Sequence, residues 1–87
     1  MRLIVRMNMF TATQVAYVTQ EDGEVLKTYT LNTNSLDRDV LRICEEDKIS
    51  NIVISGPVMY TKSFEKKIKQ AELVKYNTNN LIISLIK

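Results

Sequence analysis

The chain has 87 residues, 45% hydrophobic and 25% charged, which leaves room for one domain around one core and argues against disorder. Its 12 basic and 10 acidic residues give a formal net charge of +2, too small to point to nucleic acid or a membrane except through a local patch. With no histidine and one cysteine, imidazole zinc sites, Ser–His and Cys–His nucleophile pairs and an intrachain disulfide are excluded.

The first segment, Arg2 to Met9, alternates Leu3, Val5, Met7 and Met9 with Arg2, Ile4, Arg6 and Asn8. That period of two predicts a strand. A weak turn over Phe10 to Thr13 leads to a second strand, Gln14 to Gln20. Glu21-Asp22-Gly23-Glu24 follows, and Asp-Gly between two β-prone runs predicts a hairpin closed by a tight primed turn. The third strand is Val25 to Leu31, rich in Thr, Tyr and Val. Asn32-Thr33-Asn34-Ser35 then offers several N-cap residues.

Leu36, Val40, Leu41, Ile43 and Cys44 recur at helical spacing, which predicts an amphipathic helix over Ser35 to Asp47. Asn51 to Ser55 is the fourth strand, and consecutive Ile52, Val53 and Ile54 suit a strand covered on both faces. Gly56-Pro57 ends it. A second helix is expected over Thr61 to Val74 with Phe64, Ile68 and Ala71 on its apolar stripe, then a polar turn at Asn77 to Asn80, then a last strand, Leu81 to Ile86. The fold class is α/β (α+β): a single βββαβαβ domain over residues 1–87. The first three strands form an antiparallel meander and each later strand follows a helix by a right-handed crossover, which gives a mixed five-stranded sheet of order 3-2-1-4-5.

This order resembles the core of the ribonuclease H-like superfamily, on the hairpin strands from Arg2 to Leu31, the amphipathic helix and the strand Ile52-Val53-Ile54-Ser55-Gly56-Pro57. In nuclease members the resemblance implies a metal-binding aspartate in the first strand and a further carboxylate after the fourth. Here those places read Arg-Leu-Ile-Val-Arg-Met-Asn-Met and Ser55-Gly56-Pro57. A two-metal nuclease needs converging carboxylates, so the resemblance implies a reduced, non-catalytic member with no metal and no cofactor. A divergent enzyme of this type is kept as a further alternative.

Three other features bear on function. Lys62, Lys66 and Lys69 fall on one face of the second helix with Lys67 beside them, a row able to neutralise phosphates without reading sequence. A solvated helix face is the plainer account of that row. Glu45-Glu46-Asp47 oppose the dipole where the first helix ends, with Lys48 or a basic partner as the expected offset. Met7, Met9, Phe10, Met59 and Tyr60 are soft, bulky residues near strand ends, suited either to a small core or to a partner surface. Cys44 is expected to be a buried thiol.

The favoured function is a small non-enzymatic binding module acting by protein–protein contact through Phe10, Met59 and Tyr60. Self-association through a free edge strand, giving a dimer, is part of that expectation. The alternative is a nucleic-acid-binding accessory using Lys62, Lys66, Lys67 and Lys69. No apolar run approaches the roughly 20 residues of a membrane helix, and Met1 to Val5 is too short and charged for a signal peptide. No membrane partner and a cytoplasmic location are therefore expected. The Ile-, Lys- and Asn-rich composition suits an AT-rich genome, so a phage or mobile-element accessory protein in the host cytoplasm is one expected context.

Overall fold

The alternating first segment becomes strand β1 (Arg2–Arg6), with Leu3 and Val5 fully buried and Arg2 and Arg6 exposed. The computed structural model describes residues 1–8, 10–71 and 81–86. The further elements are β2 (Thr13–Thr19), β3 (Val25–Asn32), a 3-10 turn (Thr33–Ser35), α1 (Leu36–Asp47), β4 (Asn51–Ser55), α2 (Val58–Ala71) and β5 (Ile82–Ile86). The strands form one sheet of order β3-β2-β1-β4-β5, as expected. β2 runs antiparallel to both β1 and β3, while β1, β4 and β5 are parallel.

Register sorts the side chains into two faces. Val5 lies beside Ala16 and Ile54, and Leu3 beside Val18 and Ile52, all of them buried. Onto this face α1 turns Leu36, Val40, Leu41, Ile43 and Cys44, and α2 turns Thr61, Phe64 and Ile68. The two helices also pack against each other. Each fully buried aliphatic side chain contributes about 1.5–3 kcal/mol relative to exposure, so this layer carries the stability. The opposite face holds the row Thr28, Tyr17, Ile4, Val53 and Ser84. Tyr17, Ile4 and Val53 are only half-buried there. Among the described residues no helix lies over that face, so β4 is covered on one side, contrary to the expectation from its unbroken apolar run.

Several local expectations are corrected. β1 stops at Arg6: Met7 still donates its N–H to Ser55 O (2.8 Å), but Asn8 is drawn away by Gln14. Met9 lies outside the described residues. The hairpin is not a two-residue primed turn. Gly23 (φ 94°) is the one positive-φ residue of the loop, its N–H meets Gln20 O at 3.0 Å, and Gln20 N–H meets Glu24 O at 2.9 Å. This is a three-residue connection in which glycine alone takes the left-handed position. α2 starts at Val58, three residues before the expected Thr61, because Pro57 O accepts from both Tyr60 and Thr61 N–H at 3.0 Å. Proline cannot donate, and at a helix start no donor is missed. The expected end of this helix at Val74 and the turn at Asn77 to Asn80 lie outside the described residues.

The acids at the end of α1 are offset differently from the expectation. Asp47 accepts from Lys27 Nζ (3.2 Å) and Tyr29 OH (3.3 Å), both on β3. That hydrogen bond, with the charge of Asp47, raises the Lys27 pKa above its ordinary 10.5. Lys48 serves through its backbone: it takes the left-handed cap position (φ 55°) and donates its N–H to Cys44 O. Cys44 is buried, and burial pushes its thiol up to about 12.

Candidate functional site

The loop between β1 and β2 is held from inside the sheet. Gln14 is buried on the helix side of β2, where a lone amide would be costly. Its Oε1 accepts from Asn8 N–H (2.6 Å), and its Nε2 donates to Asn8 O (2.8 Å) and Thr33 Oγ1 (3.1 Å). One side chain thus ties the loop to the entrance of α1. Asn8 then uses its own Oδ1 to accept from Phe10 N–H at 2.9 Å, and the Phe10 side chain lies exposed.

A second loop meets the first. Gly56 (φ 142°) follows β4 with no room for a side chain, because a Cβ there would lie 2.8 Å from Met7 O. Arg6 and Ser55 are register partners, so both loops leave the sheet at the same end. Phe10 projects from the first loop, and Met59 and Tyr60 project from the first turn of α2, into which the second loop leads.

This end of the sheet is where large apolar side chains meet solvent. Phe10 is 87% exposed, Met59 85% and Tyr60 44%, with Val58 also exposed. Phe10 and Pro57 border a groove of about 550 Å³ that continues onto the uncovered sheet face along Arg6, Val15 and Tyr17. The three residues predicted for partner contact therefore share one end of the molecule and none is used in the core. Met7 differs from them, because it packs against the core.

Lys62, Lys66, Lys67 and Lys69 are all exposed, opposite the buried Thr61, Phe64 and Ile68. Lys69 is bridged to Glu65 at 3.8 Å, so the row is diluted within its own helix. Arg2 and Arg6 stand on the uncovered sheet face, and among the described residues neither makes an ion pair. Among the described residues no group of three or more His, Cys, Asp or Glu is placed to hold a metal ion. No described helix is long and apolar enough to cross a membrane.

Sequence reasoning missed Gln14, Asn8, Arg6, Tyr17 and Pro57 as parts of this site. A glutamine at a core-facing position of a strand was the available signal, since a buried amide must find partners. Comparison with family models, with curated proteins and with solved structures finds no match to this chain.

Proposed function

We propose that the chain is a non-enzymatic binding module that engages a protein partner at the end of the sheet presenting Phe10, Val58, Met59 and Tyr60. The observation that carries this is the exposure of Phe10, on the β1–β2 loop, and of Met59, in the first turn of α2, at the end of the sheet where Phe10, Pro57 and Arg6 line a groove. Aromatic residues, methionine and arginine are the types enriched where proteins meet, and a buried amide fixes the loop that offers Phe10. The partner suited to it is an apolar side chain next to a carboxylate. The strand order also supports reading the scaffold as a ribonuclease H-like core without its carboxylates. A phage or mobile-element accessory protein is the context we favour.

Photo-crosslinking in cells from positions 10 and 59, with position 38 on α1 as control, tests the proposal. The expected result is the same discrete adduct from both test positions and none from the control. Identical adducts from all three positions, or none from any, would sink it.

A second reading rests on the exposed Lys62, Lys66 and Lys67, which make no ion pair among the described residues. If that row holds a nucleic-acid backbone, affinity falls steeply as salt rises, because each phosphate contact releases a counterion. Affinity that stays flat with salt removes this reading.

A further inference from the structure

The two edges of the sheet differ in a way that names an occupant for one of them. β3 carries Lys27, ion-paired to Asp47, and its ladder with β2 is broken by an irregularity at Val18/Thr19. Charge and bulges are the usual protections of an exposed edge. β5 reads Ile-Ile-Ser-Leu-Ile, with no charge, no proline and a ladder to β4 without a register shift. Ile82 is 61% exposed and Ile86 54%.

We infer that β5 pairs antiparallel with β5 of a second copy of this chain, with Ser84 on the two-fold axis. The backbone pattern sets the register. Ile82 donates its N–H to Ser50 O (2.8 Å), and Ile86 O accepts from Gly56 N–H (3.3 Å). Residues 82, 84 and 86 therefore direct their backbone groups toward β4, and Ile83 and Leu85 direct theirs to the outer edge. An antiparallel partner placing Ile83 opposite Leu85 forms a hydrogen-bonded pair on each side of the axis. Ser84 then faces Ser84 of the second copy in a non-hydrogen-bonded pair, where side chains come closest and a small residue fits.

The side chains agree with that register. Ile82 meets Ile86 on the uncovered face, and Ile83 meets Leu85 on the helix face, so every apolar residue of β5 opposes an apolar residue and Ser84 opposes Ser84. Sliding the register so that Leu85 opposes Leu85 would set Ser84 against Ile86, a polar residue against an apolar one. The strand is thus self-complementary in one arrangement, as a two-fold interface requires. The product is one continuous sheet with both copies of α1 and α2 on one side. This inference does not rest on the partner site proposed above.

Sedimentation equilibrium and cysteine crosslinking test it. The unsubstituted chain is expected to sediment as a dimer at high concentration, and Ser84→Lys, which sets two ammonium groups face to face, to sediment as a monomer with unchanged circular dichroism. Ser84→Cys is expected to give a disulfide-linked dimer on oxidation, while Val25→Cys on the opposite edge does not. The double variant Phe10→Ser/Met59→Ser remains a dimer. A chain that is monomeric at every concentration, or a dimer that survives Ser84→Lys, overturns the inference. So does a dimer lost in the Phe10/Met59 variant, which would move self-association to the proposed partner site.

Discussion

The two faces of the sheet are built by the same strands and do opposite work. On β4, Ile52 and Ile54 are fully buried beneath the helices, while Val53 between them looks out on the uncovered side. On β1, Leu3 and Val5 enter the core, while Ile4 stands between Arg2 and Arg6 on the other face. The covered face also pairs its peripheral charge, Lys27 with Asp47, whereas the arginines opposite have no such pair among the described residues. The difference teaches how a domain this small separates the residues that stabilise it from those it leaves at its surface. One face holds the fold together, and the other is available for contact because little of the stability depends on it.

The largest test of this contrast lies in the core. Ile54→Ala should lower unfolding free energy by about 2–5 kcal/mol, the range for a buried aliphatic truncation. Val53→Ala, one residue away on the same strand, should cost less than about 1.5 kcal/mol. Urea melts measure both, and equal losses would mean that the outer face is buried after all.

Gln14→Leu is the next test. It leaves the Asn8 backbone groups without their partner and should cost about 1–3 kcal/mol. It should also loosen the Phe10 loop, seen as faster amide exchange at Asn8 than in the unsubstituted chain. A melt unchanged by this substitution would show that the loop is held by something else.

A third test uses the buried thiol. Because Cys44 ionises near 12 in the folded chain against 9.0 ordinarily, the unfolded chain releases its proton first as pH rises. Stability should therefore fall between pH 9 and 12, by up to about 1.4 kcal/mol per pH unit. Cys44→Ala should flatten that slope. A slope identical in both chains would mean that the thiol is not shielded.

Smaller still, Lys48→Gly should stabilise by about 1 kcal/mol, since Lys48 occupies a left-handed cap that glycine adopts without strain. The smallest effect is expected at the contact site. Phe10→Ser and Met59→Ser should each shift stability by no more than about 0.5 kcal/mol, because neither side chain is buried. A large loss at either position would place it in the fold and break the contrast.

Element order and strand order were legible because each element announces itself by its period. Leu3 and Val5 alternate, Val40, Ile43 and Cys44 recur by helical turns, and each helix between strands demands a parallel crossover. The start of α2 was not legible, because Val58-Met59-Tyr60 carries no polar cap and reads as loop. One-sided covering was hidden for another reason: Ile52-Val53-Ile54 looks the same whether Val53 meets a helix or solvent. Phe10, Met59 and Tyr60 were legible as candidates from residue type alone. The groove beside them was not, because it depends on Gln14 reaching back to Asn8, a side-chain contact that leaves no periodic trace.

The place of β1 at the centre of the sheet has a consequence for synthesis. Ile4 pairs on one side with Tyr17 and on the other with Val53, about 50 positions further along the chain. The first three strands can zip together as soon as they leave the ribosome, since hairpins close in microseconds. Their inner row, Leu3, Val5, Ala16 and Val18, must then wait for α1 and β4 to be translated. At about 5–20 residues per second that wait is roughly one to five seconds. For that interval the nascent chain displays a greasy, half-finished sheet with β1 as an open edge, the period in which a chaperone has most to offer it.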